Sequence, residues 1–238
     1  MRPFTALVPF ALLAGISLPA FADEGVISVT GIGEISAAPD TAYVSSGVTS
    51  QGATAREALD ANSAAMEQLI ATLKEAGIAE RDIQTSNFSV NPNYVYSDAR
   101  DAEGYSQPPR IDGYQVSNTV TVRIRDLDSL GQVLDQQVSV GANTINGISF
   151  AVEDTTALED EARKAAFADA RRKAELYAET AGEDLGDVVS ITENQGYSSP
   201  QPMQMRAAMA YDESAKVPVA TGELTFQISV QVTWDVED

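Results

Sequence analysis

The sequence predicts an α+β fold: a long-stranded, mostly antiparallel sheet with helices packed on one face. Three observations carry this. From Leu224 to Glu237 the chain alternates without a break, with Leu224, Phe226, Ile228, Val230, Val232, Trp234 and Val236 set against Thr225, Gln227, Ser229, Gln231, Thr233, Asp235 and Glu237. Period two of this kind gives a strand one buried and one wet face. A second stretch repeats the pattern, with Tyr114, Val116, Val120, Val122 and Ile124 against Gln115, Ser117, Thr119, Thr121 and Arg123. Thirdly, stretches of helical period lie between the strands. Antiparallel strands with one polar face need only one covering layer of helices.

Weaker strand patterns occupy 26–35, 41–50, 83–96, 148–153 and 188–193. The first helix opens at Thr54-Ala-Arg-Glu57, a capping box, carries the stripe Leu59, Met66, Leu69, Ile70 and Leu73, and ends at Gly77. The second is short, with Asp126 as cap, Leu127, Leu130, Leu134 and Val138 as its apolar side, and Gly141 beyond its end. The third opens at Thr156-Ala-Leu-Glu159, read as another capping box, and buries Leu158, Ala162, Ala165, Ala166, Ala170, Ala174, Tyr177 and Ala181. Its alanines allow close approach to a sheet or helix. Residues 54–124 and 156–236 echo each other as capped helix, strand, Pro- and Tyr-containing loop and long strand. The echo fits either an old duplication or the general habit of α+β chains.

Residues 1–22 read as a secretory signal peptide. Arg2 leads an apolar stretch, and Ala20-Phe21-Ala22 fits a small-x-small cleavage site. The apolar stretch is short of the ~20 residues a membrane span needs, and no later segment comes close. The expected mature chain, 23–238, forms one domain in the bacterial periplasm. It carries 14 basic against 35 acidic side chains. That balance disfavours nucleic acid as a partner and leaves only a peripheral association with the envelope open. The chain has no cysteine and no histidine. Ser-His-Asp and Cys-His catalysis, zinc sites built on those residues, and disulfides are thereby excluded.

What chemistry is left is thin. A Ser–Lys pair has only Lys74, Lys164, Lys173 and Lys216 to draw on. The acidic group Glu153, Asp154, Glu159, Asp160 and Glu161 lacks calcium-loop spacing and reads as a helix N-terminus favouring negative charge. The basic group Arg163, Lys164, Arg171, Arg172 and Lys173 falls four residues after Glu159, Asp160 and Asp169 in the pairs Glu159–Arg163, Asp160–Lys164 and Asp169–Lys173, the pattern of an exposed helix face. Gly31-Ile32-Gly33 follows strand-like residues but has no third glycine or helix start in register, so it reads as a bulge or turn. Two long loops, 97–110 with Pro108-Pro109 and 194–221 with Pro200, Pro202 and Pro218, exceed usual connection lengths. The second holds Met203, Met205 and Met209, thioethers suited to Cu(I) or to an adaptable contact surface.

Several short motifs, in order, make the chain resemble the SIMPL domain (DUF541, periplasmic immunogenic protein) family. They are Gly77-Ile78, Asp82-Ile83-Gln84-Thr85, Pro92-Asn93-Tyr94-Val95-Tyr96, Gly113-Tyr114-Gln115-Val116, Gly141-Ala142-Asn143, Ala162-Arg163-Lys164-Ala165-Ala166, Asp169-Ala170-Arg171-Arg172-Lys173-Ala174-Glu175, Gly182 and Leu185-Gly186. The resemblance implies an exported α+β protein that self-assembles, has ties to envelope or oxidative stress, and carries no established catalytic residues. The expectation is therefore a non-enzymatic homo-oligomer without catalytic, cofactor or metal residues. Its subunit contacts are expected on the long polar-faced strands and the 194–221 loop. Copper binding by that loop, and a carboxylate-based hydrolase of envelope glycans with two acids across a cleft, are the alternatives.

Overall fold

The computed structural model describes residues 25–96, 107–193, 201–202 and 217–237. Its elements run β1 (Val26–Ala37), β2 (Thr41–Gly52), α1 (Ala55–Glu75), β3 (Ile83–Val95), β4 (Arg110–Ile124), α2 (Leu130–Ser139), β5 (Thr144–Ala151), α3 (Thr156–Ala181), β6 (Asp184–Glu193), β7 (Gln201–Pro202) and β8 (Leu224–Glu237). The α+β class and the long antiparallel strands stand as read. The strands, however, divide between two sheets rather than forming one. Sheet A has the order β1-β8-β6, with β7 also beside β8; sheet B has the order β3-β4-β2-β5. The physical reason is that two separate helical faces need cover, one on α3 and one shared by α1 and α2, and each takes its own sheet.

The division sharpens the echo between halves. In sheet B an edge strand and a central strand follow α1, and β2 flanks the central strand; in sheet A the edge strand β6 and central strand β8 follow α3 in the same way. The flanking position in sheet A is filled by β1, from the start of the chain, and not by β5, which immediately precedes α3. β5 instead pairs with β2 in sheet B.

In sheet B, α1 and α2 bury Met66, Leu69, Leu73, Leu130, Val133 and Leu134 against Val44, Val120, Val122 and Ile124. Full burial of a side chain of this size is worth about 1.5–3 kcal/mol. The predicted stripe of α1 is largely right. In α2 the register differs: Val138 is exposed, while Val133 and Gln137 face the core. A three-residue 3-10 turn at Leu127–Ser129 precedes the helix, rotating it relative to a helix begun at Asp126, whose side chain makes no cap bond.

In sheet A, Ala162, Ala166, Ala170, Ala174 and Ala178 are buried at a spacing of four along α3. The helix rests on β1 and β8. A Cβ at Gly31 would lie 2.6 Å from the Ala170 nitrogen, and one at Gly33 would lie 2.5 Å from that of Ala166. Gly31 and Gly33 therefore belong inside β1, in unbroken register with Val230 and Ile228. The bulge or turn expected there is absent; the missing side chains are what allow helix and strand backbones to touch. Val230, Val232 and Trp234 fill the rest of this core, with Phe167 tilted against Trp234 at 6.1 Å.

The Thr54–Glu57 capping box forms, with Glu57 N–H donating to Thr54 Oγ1 at 3.2 Å and Thr54 N–H to Glu57 Oε2 at 3.3 Å. The second expected box does not. Thr156 is already helical and its N–H donates to Asp154 Oδ1 at 3.0 Å, while Thr155 Oγ1 donates to Glu159 Oε1 at 2.6 Å. Asp154, one residue too early for a box, takes the donor first. Its carboxyl is held below the usual range by hydrogen bonds from the Thr156 side chain and from that N–H.

Candidate functional site

The surfaces available for function are set by how far each helix reaches. α1 lies over β2 and β4, and α3 over β1 and β8. The edge strands β3 and β6 are left with little cover on the same side. On β3 this exposes Phe88, at 57% of its full accessibility, Val90 and Tyr94; on β6 it exposes Val188, Val189 and Ile191, the last at 58%. A one-residue shift in the β3–β4 register between Ser86 and Ser89, with Asn87 at φ 53°, accompanies the exposed Phe88. Residues 83–96 contain no charged side chain in a chain of net charge −20.

The sheet faces turned away from the helices are polar, as the alternation predicts. Their polar groups pair with each other: Thr49 and Ser117 hydroxyls at 3.1 Å, Ser36 and Thr225 hydroxyls at 3.2 Å, and Ser28 Oγ accepting from Thr233 Oγ1 and from Gln231 Nε2.

The free edge of β1 is occupied differently. Gly25 C=O accepts from Val236 N–H, so odd-numbered backbone groups of β1 face β8 and even-numbered ones face outward. Two of the outward groups meet side chains of α3. Ile32 N–H donates to Asp169 Oδ2 at 3.0 Å, and Lys173 Nζ donates to Thr30 C=O at 2.9 Å. Lys173 pairs with Asp169 Oδ2 at 2.6 Å, and Arg172 holds Asp169 Oδ1 at 2.7 Å. Lys173, then Ile32 N–H and Arg172, keep the Asp169 carboxyl well below the usual carboxylate range. Beside this cluster, Ile27, Ser28, Val29, Thr30, Lys173 and Tyr177 line an open depression of about 590 Å³.

A second charged group sits at the end of sheet B. Asp82, its side chain 2% exposed, is held by Arg123 Nη2 at 2.7 Å and by Arg125 Nη1. Both arginines also reach Glu153, at 3.2 and 2.9 Å. Glu153 N–H donates to Asp40 Oδ1 at 2.9 Å, and Asp40 N–H donates to Ala151 C=O. The group ties the link into α3 onto sheet B. Hydrogen bonds from Arg125 outweigh burial and hold both Asp82 and Glu153 below the ordinary carboxylate range.

The groups singled out in the sequence are thus dispersed. Glu153 joins the arginine network, Asp154 caps α3, and Glu159 and Asp160 both pair with Arg163. Asp160 takes Arg163 at 2.9 Å rather than the expected Lys164, and Arg163 also holds Glu193 of β6 at 3.0 Å. Among the described residues no group of three or more acids is placed to hold a metal ion. Lys74 pairs with Glu80 and Lys173 with Asp169. Met203, Met205, Met209, Lys216 and most of the 194–221 loop lie outside the described residues, although Gln201–Pro202 pairs with β8 inside that stretch. The sequence reading missed the bare edges of β3 and β6; the uncharged run 83–96 was the available signal. It found the Asp169–Lys173 pair but not its reach to β1, which depends on tertiary placement.

Two helix-backed antiparallel sheets, with carboxylates engaged in ion pairs and caps and with exposed edge strands, define an α+β protein whose distinctive features are surfaces. The chain belongs to the SIMPL family, described as "Protein of unknown function (DUF541)", whose model matches residues 27–234. It is 38% identical over 236 residues to the 26 kDa periplasmic immunogenic protein of Brucella melitensis, covering 95% of this chain and 93% of that protein. It is 31% identical over 240 residues to the uncharacterized protein YggE of Escherichia coli K12, covering 97% and 93% respectively.

Proposed function

We propose that this protein is exported to the bacterial periplasm by the signal peptide at 1–22 and acts there without catalysis. In this reading the mature chain 23–238, a single SIMPL-type domain, works through self-assembly or binding in the setting of envelope or oxidative stress. The observation that carries the reading is the pair of strand edges, β3 and β6, whose apolar side chains the helices leave uncovered. Exposed apolar edge strands are places where another strand adds. The periplasmic names of the Brucella relatives support the location. The carboxyls Asp82, Glu153, Asp154 and Asp169 are all pushed down, which favours fixed anions over the raised acid a glycan hydrolase requires.

Light scattering coupled to size-exclusion chromatography of the mature protein tests self-assembly. The expected result is a multiple of the single-chain mass, reduced by Val90→Lys on β3 or by Val188→Lys with Ile191→Lys on β6. A single-chain mass at every concentration removes the proposal.

A further inference from the structure

We infer that Asp169 and Lys173 form a side-chain clip that stands in for a neighbouring strand on β1 and closes that edge to strand addition. In a parallel pair, one residue of the neighbour donates its N–H to the C=O of residue i and accepts from the N–H of residue i+2. Lys173 Nζ, donating to Thr30 C=O, and Asp169 Oδ2, accepting from Ile32 N–H, supply the same two partners from a helix. Both side chains stand one turn apart on α3, and the glycine-permitted contact of α3 with β1 brings them within reach of the edge. Arg172 fixes the remaining carboxylate oxygen, so the clip is held from behind. A paired cation and anion on an edge also repel an approaching strand by the cost of stripping their water.

The consequence is directional. β1 carries exposed Val26 and Ile32 and would otherwise be as open as the other edges. With it clipped, association is left to the remaining edge strands β3, β5 and β6; this last step rests on the self-assembly reading above, whereas the closure of β1 does not.

Amide exchange on the wild-type protein tests the clip directly. The outward amides of Thr30 and Glu34 have no place in it, and that of Ile32 does. Ile32 is expected to exchange at least about tenfold more slowly than Thr30 and Glu34. Equal rates at the three amides overturn the clip, whether all are fast or all are protected by an added strand. The variant Asp169→Ala with Lys173→Ala is expected to form larger species in sedimentation velocity than the wild type, with unchanged Trp234 emission. Adding Ile32→Pro, which removes the outward N–H, is expected to restore the wild-type size. A double variant of wild-type size with fast Ile32 exchange shows that the clip guards nothing and defeats the inference. A wild type that sediments as a single chain defeats the self-assembly reading while leaving the clip to stand on the exchange data.

Discussion

Gly31→Ala puts a single methyl where α3 touches β1, and the outcome is calculable from the geometry. The new carbon would lie 2.6 Å from Ala170 N and 2.7 Å from Ala170 Cβ, and closer still to the Ala166 carbonyl oxygen, where ordinary contact begins at 3.4 Å. The obstructing atoms are helix backbone, which has no rotamer to change, so α3 must lift or β1 must bend by about 1 Å. Overpacking costs about 1–3 kcal/mol, occasionally more, and rigid backbone contacts place this site at the upper end, about 3 kcal/mol. At roughly 2–4 °C per kcal/mol for a chain of this size, the melting temperature should fall by about 6–12 °C. Gly33→Ala, opposed by the Ala162 carbonyl and Ala166 N, should behave alike. The assay is built into the protein. Its one tryptophan, Trp234, is 3% exposed in the core that α3 closes. Urea unfolding followed by its emission should show an earlier midpoint and a redder native spectrum. Glu34→Ala, on the other face of the same strand, should shift stability by no more than about 0.5 kcal/mol. A Gly31→Ala protein with wild-type midpoint and emission would refute the close-contact account of sheet A.

Other expectations follow from single contacts. Thr54→Ala should cost about 1 kcal/mol in urea unfolding because a formed capping box is lost; Thr156→Ala, with no second box to lose, gives up only its side-chain bond to Asp154 and should cost about 0.5 kcal/mol. Gln137 is fully buried, accepting from Ser46 Oγ with its own Nε2 unpartnered, so Ser46→Ala with Gln137→Met should be neutral or stabilising, whereas Ser46→Ala alone should destabilise by about 1–3 kcal/mol. Asp82 and Asp169 have carboxyls held below their unfolded range by arginine, lysine and backbone donors. Their stabilisation is therefore complete above about pH 4 and drains away as pH falls through the folded values. The urea midpoint should be flat from neutral pH to about pH 5 and fall below pH 4, less steeply in Asp82→Asn; identical slopes would count against the network's role.

The elements were legible where one local rule dominated. The alternation of 224–237 set β8 and its buried face, and Thr54 with Glu57 set the start of α1, because both patterns are decided within a few residues. The second box failed for a local reason that a pattern cannot weigh: Asp154 reaches the Thr156 N–H first. Gly31 and Gly33 were misread because the need for glycine arises from a helix more than a hundred residues away. The split into two sheets was hidden for the same reason, since β1 bypasses its neighbour β2 to pair with β8. Of the candidate surfaces, the pairing of Asp169 with Lys173 was readable from spacing, but the strand they attend was not.

The pairing of Val26 with Asp235 and Ala37 with Leu224 also sets an order of events. β1, made before every other described strand, has its partner in β8, made after all of them. Sheet B has every strand in hand once β5 has been made, whereas sheet A cannot close until β8 follows. Contacts of such long sequence separation form slowly. A chain cut before β8 should accordingly retain a helix-backed sheet B and lose sheet A whole, with α3 left without the surface its alanines were chosen to fit.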